Sequence, residues 1–463
     1  MGEPLACVVL AAGEGTRMKS SFPKVLHPLC GAPMLRHVLQ PVRELGPKRT
    51  VVIVPPGADA VRELCRQHGA EPVEQTQRLG TGHAAAQARV ALADFDGPVL
   101  VTAGDAPLLR TETLRALVAA HRNAGAGATI LSAICADPTG YGRVVRSADG
   151  RVQAIVEHRD ADEPTRAIRE INTSIYVFDC RRLFAALTQV RNDNAQGEYY
   201  LTDVVAILIR EGAPVTAVVA DDPAEPLGVN DRAQLAQADR VLRDRIRCGH
   251  LLAGVTLVDP EAAYIDCEVL IGPDTTIWPG VCLLGGTRVG AGCTVGPQVT
   301  IEDSEIGDES RILHGSLIRG STIGRRVSVG PFAHVRGGSE LEEGAEVGSY
   351  LEVNRSRMGA GTKAKHFGYL GDTHVGARAN IGAGTVTCNY DGRRKHRTVI
   401  EDGAFIGSNA SIVAPVTIGR EAYVAAGSTI NQDVPAGALG IGRGHQRNIE
   451  GWADRQRQAR SDA

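Results

Sequence analysis

From Ile265 to Ile430 an aliphatic residue returns at every sixth position with few interruptions. Ile265, Ile271, Ile277, Leu283, Val289, Val295 and Ile301 set the register. Ile306, Ile312 and Ile318 resume it after a step of five, as do Ile323, Val329, Val335, Leu341, Val347 and Val353. Met358, Ala364 and Leu370 follow, then Val375 and Ile381, and Ile400, Ile406, Ile412, Ile418, Val424 and Ile430 close the series. Neither the helix period of about 3.6 nor the strand period of 2 produces this spacing. A hexad repeat makes one short strand and one corner, and three such faces close a triangular coil. The aliphatic residue points into the prism, and stacked coils share one core. Glycine, 54 residues in all, often follows it and suits a corner that needs positive φ.

The register lapses between Thr387 and Ile400. The intervening CNYDGRRKHRTV, residues 388–399, is polar and basic and reads as a loop thrown out of the coil. Loops that leave a rigid scaffold often carry function.

Before about Val229 the grammar differs. Apolar runs (CVVLAA, TVVIV, GPVLVTAGD, ATILSAI) alternate with amphipathic segments such as MLRHVLQPVREL and GADAVRELCRQHG. This is the pattern of an α/β domain, a mostly parallel sheet covered by helices, with ligands beyond the carboxyl ends of the strands. Asn230 to Gly254 has no proline and apolar residues at helical spacing, and predicts a long helix joining two domains. The expected organisation is 1–229 for the α/β domain, 230–254 for the helix, 255–447 for the coil and 448–463 for a tail.

A length of 463 residues fits two or three domains, and a formal charge of -3 gives no global case for nucleic acid or an acidic membrane as partner. The ten cysteines form no CxxC pair and no cluster with metal-ligand spacing, which fits reduced thiols in a cytosolic protein. Pro4–Cys7 has no basic or apolar stretch before it and is not read as a lipoprotein box. No apolar run is long enough to span a membrane.

The opening strand runs into LAAGEGTRMKSSFPK, Leu10 to Lys24. This is neither GxGxxG nor a P-loop ending in GK[ST]. A strand feeding a glycine-rich turn still offers backbone N–H groups to phosphate oxygens, and Arg17 and Lys24 can neutralise phosphate charge. Taken alone, the spacing is a weak signal, and a turn flanked by solvated charges is its lesser alternative.

LAAGEGTRM followed by FPKVLHPLCGAPML resembles the signature of the sugar-phosphate nucleotidyltransferases. EQTQRLGTGHA, VTAGDAPLL, DPTGYGRVVR, IVEHRDA, EINTSIY, NAQGEYYLTD and GVND narrow the likeness, as do GPFAHVRGG, KHFGYLGD, IGAGTVTCNYDG and FIGSNASIVAPV in the coil. Together they resemble the bacterial bifunctional N-acetylglucosamine-1-phosphate uridylyltransferase/glucosamine-1-phosphate acetyltransferases over nearly the whole chain. The resemblance implies a Rossmann-like nucleotidyltransferase domain followed by a left-handed parallel β-helix.

In the first half it implies that Leu10, Ala11, Ala12 and Gly13 lie along the nucleotide, and that Arg17 and Lys24 contact its phosphates. Gln75, Gly80 and Thr81 would read uracil, and Ala103, Gly104 and Asp105 would complete the nucleotide site. Gly142, Glu157 and Asn172 would contact the sugar. Asp105 and Asn230 would hold Mg2+, a carboxylate and an amide oxygen suiting a hard ion that keeps other oxygen ligands. The implied reaction is in-line attack of the sugar phosphate on the α-phosphorus of UTP, with pyrophosphate leaving. Ala103 stands where many relatives have tyrosine, a change expected to alter packing more than chemistry.

In the second half it implies His366 as the base that takes a proton from the amine. Arg336, Asn354, Tyr369, Asn380 and Lys395 would bind the amino-sugar phosphate, and Ala383, Asn389, Tyr390, Ser408, Ala426 and Arg443 acetyl-CoA. Lys395 would give the extruded loop its purpose. Asn354 departs from the family's usual lysine, so either amino-sugar phosphate binding is weaker or Arg355 compensates. As a strand neighbour of Asn354, Arg355 would point the opposite way.

The reading is a cytoplasmic two-step enzyme and a homotrimer. Its small-molecule partners are UTP, acetyl-CoA, glucosamine 1-phosphate and N-acetylglucosamine 1-phosphate, and its product is the cell-wall precursor UDP-N-acetylglucosamine. The rival is a uridylyltransferase whose coil only trimerises, favoured by Asn354 and opposed by His366, Tyr369, Asn380 and Lys395. A non-catalytic assembly subunit is opposed by the presence of Arg17, Lys24, Asp105 and Asn230.

Overall fold

The structure, a computed structural model, describes residues 4–461. The chain forms two compact units that divide between Arg243 and Asp244.

Among the described residues the first unit has a nine-stranded sheet. Seven strands follow one path: Val215–Val219, Ala128–Ile134, Glu170–Asp179, Pro98–Ala103, Ala6–Leu10, Arg49–Val54 and Glu71–Glu74. All run parallel except Glu170–Asp179, which is antiparallel to both neighbours and also carries the hairpin Arg143–Arg146/Val152–Val156. Helices bury both faces, which is why the strands read as unbroken apolar runs. Ala6 and Val8 join one core with Ala85, Leu183 and Leu208. Cys7 and Val9 point the other way, Cys7 towards Leu114 and Leu117, Val9 towards Leu35 and Val38.

The predicted connecting helix is Arg232–Leu252. Leu235, Val241 and Leu242 pack against a small core of Leu29, Met34, Leu108, Val229 and Ala238 in the first unit. Ile246 packs on the core of the second unit, and Arg247 donates to the Pro260 carbonyl at 2.6 Å.

The second unit is a left-handed parallel β-helix. Among the described residues its sheets have eleven, ten and nine strands; as far as Ser411–Val413 each strand pairs with the one three later in the chain, and Tyr423–Val424 pairs with Leu439–Gly440. The hexad residues point inward as the spacing requires. Leu283, Ile301, Ile318, Val335, Val353 and Leu370 form one stack in register, all fully buried. Thr387 takes the next inward place, its hydroxyl accepting from the Gly371 N–H at 2.7 Å. Coils approach closely where glycine follows the aliphatic residue. A Cβ on Gly348 would lie 1.7 Å from the Lys365 carbonyl oxygen.

Two features differ from the sequence reading. The glycine that follows the aliphatic residue, as at 290, 348 and 382, is not the one at positive φ; that conformation falls two residues later, at Gly292, Tyr350 and Gly384, and non-glycine residues often hold it. The five-residue steps fall at one corner, after the stack just named. There two six-residue steps have two glycines before a hydroxyl residue, Gly285-Gly286-Thr287 and Gly337-Gly338-Ser339, while Ile265–Ile271 and Ile412–Ile418 have neither at those positions. The five-residue version has one left-handed residue before the hydroxyl: Asp303-Ser304, Gly320-Ser321, Arg355-Ser356 and Asp372-Thr373. In both the buried hydroxyl donates to a carbonyl just behind it, Thr287 to Leu284 at 2.7 Å, Ser304 to Glu302 at 2.7 Å and Ser321 to Arg319 at 2.8 Å. The hydroxyl closes the corner at either length. The second difference is the extent of the extruded loop. Cys388, Thr398 and Val399 remain in strands because they pair with Val413, Val416 and Thr417. The excursion is 389–397, braced by a bridge between Tyr390 and Lys395.

Replacing Ile318 by alanine should cost about 3 kcal/mol, because stacked neighbours above and below prevent collapse of the cavity. Replacing Arg319, an exposed partner of Glu302, should change stability by no more than about 0.5 kcal/mol. Urea unfolding of the two variants checks both.

Candidate active sites

The first site lies at the carboxyl ends of the parallel strands. The Ala6–Leu10 strand ends in a turn that Gly15 closes at φ 65°. A Cβ there would lie 2.6 Å from the Lys24 Cβ, so this glycine lets the turn pack on the lysine stem. Lys24, on the short helical turn Lys24–Leu26, is 9% exposed. Its ammonium makes an ion pair with Asp105 and donates to Asn230 Oδ1 at 2.8 Å. Asp105 follows the Pro98–Ala103 strand, and its carbonyl accepts from the Val229 N–H at 2.8 Å. A Cβ on Gly228 would sit 3.0 Å from Asp105 Oδ1, so glycine lets this chain segment lie against the carboxylate.

These residues floor a cavity of about 670 Å3. Leu10, Ala11, Ala12, Gly13, Gln75, Gly80, Thr81, Ala103, Asn172 and Asn230 line it with Lys24 and Asp105. Gln75 is buried and donates to the Gly80 carbonyl at 3.2 Å, while Thr81 Oγ1 accepts from the Leu201 N–H at 3.1 Å. Gly104 supports the wall from behind, its N–H donating to the Leu10 carbonyl at 2.8 Å. Gly142 and Glu157 lie next to Asn172: Asn172 N donates to Gly142 O at 2.8 Å, and a Cβ on Gly142 would be 3.4 Å from Glu157 Oε2. Burial pushes the Glu157 carboxyl above the usual range, against the lowering effect of a hydrogen bond from Thr202. Arg17 is exposed and does not line the cavity. The sequence reading missed Glu14 and Arg78, which form an ion pair in the cavity lining, and Tyr141, which also lines it. Only their presence on glycine-flanked loops hinted at this.

The coil carries the second set of residues on two faces. One face lines a cleft of about 570 Å3 that includes His366, Asn380, Ala383, Ser408 and Ala426. Lys363, Lys365, Phe405, Tyr423 and Leu439, none singled out from sequence, complete it, with Phe405 and Tyr423 stacked 5.3 Å apart. Arg336, Asn354 and Tyr369 belong to the neighbouring ten-stranded sheet. Arg336 pairs with Glu352 at 2.7 Å, and Asn354 is buried, 3.4 Å from Tyr369 Oη. Lys395 and Tyr390 are exposed on the loop, Asn389 is buried at its start, and Arg443 is exposed beyond the last strand.

Arg355 corrects the strand-neighbour argument. The strand ends at Asn354, and Arg355 turns the short corner at φ 49°. Its side chain therefore stays beside Asn354, donating to Asn354 Oδ1 at 3.1 Å and to both oxygens of Asp372 at 2.7 and 2.9 Å. This pair holds the Asp372 carboxyl below its usual range, and Asn389 donates to the same carboxylate.

Comparison with known proteins matches residues 7–199 to the MobA-like NTP transferase domain. Residues 254–364 match the GMPPB C-terminal domain, and 397–432 the bacterial transferase hexapeptide model of six repeats. The bifunctional protein GlmU of Geobacillus thermodenitrificans is 52% identical, over 97% of this chain and 98% of its own length. That of Brevibacillus brevis is 49% identical over 97% of each, and that of Pelobacter propionicus 48% identical over 98% and 99%. With likeness of this extent running through both units, the chain belongs to the GlmU family of bifunctional proteins.

Proposed function

We propose that the two clefts are consecutive active sites. The coil acetylates glucosamine 1-phosphate from acetyl-CoA. The first unit then transfers UMP from UTP to the N-acetylglucosamine 1-phosphate formed, and pyrophosphate leaves. The observation that carries this reading is the pairing of a cavity at the opening glycine-rich turn, around Lys24, Asp105 and Asn230, with a cleft on the coil that holds His366.

In the first site the Leu10–Gly13 backbone lies along the nucleotide and Gln75, Gly80 and Thr81 read the uracil edge. Gly142, Glu157 and Asn172 seat the sugar. Lys24, and Arg17 reaching in from the exposed turn outside the cavity lining, set positive charge against the negative charge that develops on the phosphates. Asp105 and Asn230 fit a hard divalent cation, because their oxygens converge on one point where the Lys24 ammonium bonds both. They would hold Mg2+, which when bound neutralises triphosphate charge.

In the second site His366 takes the proton from the amine as its nitrogen attacks the thioester carbonyl, and coenzyme A leaves as the thiol. Tyr369, Asn380 and Lys395 orient the amino sugar, and Arg336 meets its phosphate. Ala383, Asn389, Tyr390, Ser408, Ala426 and Arg443 seat acetyl-CoA. Arg336, Asn354 and Tyr369 stand on a different face of the prism from the His366 cleft. A homotrimer, in which neighbouring coils bring the two sets together, accounts for this division. We place the enzyme in the cytoplasm, where both co-substrates are made. No helix among the described residues is long and apolar enough to cross a membrane.

Coenzyme A release should occur with glucosamine 1-phosphate and not with the 6-phosphate, without UTP. His366→Ala should lower its rate by about 10²- to 10⁴-fold while uridylyl transfer persists. Release unchanged in His366→Ala would remove His366 as the base, and no release from a protein that still makes UDP-N-acetylglucosamine from N-acetylglucosamine 1-phosphate and UTP would leave the coil a scaffold.

Arg355, held by Asp372, is a strut and not a substitute for the missing lysine. Arg336→Ala should raise the KM for glucosamine 1-phosphate by roughly tenfold or more, the loss of a charge-assisted bond. Arg355→Ala should leave it within about twofold. Steady-state kinetics on both variants decides between strut and compensation.

Glu157 carries a pH prediction. Its raised folded pKa means its contribution to stability is lost as pH rises through that value. Glu157→Gln should therefore raise the melting temperature near pH 7, and the gain should vanish below about pH 4, where the carboxyl is protonated in both states. The same variant should bind N-acetylglucosamine 1-phosphate more weakly, which calorimetric titration would show.

A further inference from the structure

Asp105 and Asn230 are fixed by their own backbone, whereas the cation between them is not. The Asp105 carbonyl accepts from Val229, and a Cβ on Gly228 would touch the carboxylate. The Asn230 N–H donates to Gln234 Oε1 at 2.7 Å, and its Nδ2 faces the Gly228 carbonyl at 3.4 Å, which turns Oδ1 towards Lys24. Lys24 reaches the same point on a flexible four-carbon stem. A carboxylate this enclosed, 22% exposed, is costly to leave unpaired.

We propose that Lys24 is a resident counter-cation. Its ammonium holds the divalent-cation position of Asp105 and Asn230 until the metal arrives, and is then released to the nucleotide phosphates. This rests on the reading of that pair as the metal site. Ammonium and metal cannot both occupy the point at which the two oxygens converge, so metal binding must displace the lysine. The exchange adds charge where it is used: one carboxylate and one ammonium sum to zero, and with a dication added the same groups carry two positive charges facing the triphosphate. Metal and nucleotide each make room for the other, a coupling that is reciprocal by linkage. Metal alone binds poorly, because it must first evict the lysine.

The test is binding of Mn2+ alone to the full-length protein without nucleotide, followed by electron paramagnetic resonance and by titration calorimetry. Lys24→Met should bind Mn2+ at least about tenfold more tightly than the unaltered protein. Lys24→Met combined with Asp105→Asn should lose that tight site, and circular dichroism should show both variants folded. Equal, Asp105-dependent affinity in the unaltered protein and Lys24→Met would overturn the counter-cation while leaving the metal site standing. Absence of any Asp105-dependent binding in either protein would remove the metal site and the counter-cation with it. Lys24→Gln gives a second, polar replacement: tightening in Lys24→Met but not in Lys24→Gln would also overturn the proposal, since both remove the ammonium.

Discussion

In the second unit the strand backbone of one coil is satisfied by the coils before and after it. A two-residue strand such as Arg311–Ile312 cannot pair within its own turn and bonds to Thr294–Val295 and Ser328–Val329. Every side chain on the prism surface therefore takes its position from a ladder that runs the length of the unit. His366 and Asn380 are placed in this way, as are Arg336 and Asn354 on the next face. Placement is precise across coils because the inward aliphatic stack permits no slip: a shift of one residue would drive polar side chains into a dry core.

The first unit positions its residues by different means. Its sheet is buried on both faces, so polar groups collect where the strands end. Lys24, Asp105 and Asn230 come from three such ends, and Lys24 and Asn230 stand 206 residues apart in the chain. What joins them is opposite charge in a partly dry setting, where a lone carboxylate would be unfavourable. The glycines at 15 and 228 matter through the side chains they accommodate, Lys24 and Asp105. Replacing either would push on the charged cluster before it disturbed the sheet.

The coil could be read from the sequence because its period belongs to no common local structure, and the first sheet because apolar runs alternated with amphipathic segments. Residue roles came from resemblance, not from period. The short-range rules failed where a contact was set by the third dimension. Arg355 reads as a strand neighbour of Asn354 until the five-residue corner turns it aside. Asp372, which holds both Arg355 and Asn389, carries no local sign of that task. The pairing of Glu14 with Arg78 and the cleft walls Phe405 and Tyr423 are likewise products of folding. The excursion at 389–397 was visible as a lapse in register, but its ends were set by pairing of Cys388 and Thr398.

The corner closed by buried hydroxyls gives the prism one edge with adjustable length. From Thr287 to Thr373 serine or threonine returns there whether five or six residues make the turn, and hands the next coil the same register. Single-residue deletions can accumulate along that edge without rotating any other face. The remaining edges lack this tolerance and pass a length change on to every later coil. Divergence among such coils should therefore write its insertions of one residue along a single seam, and reserve the other edges for whole loops that leave and re-enter between paired strands.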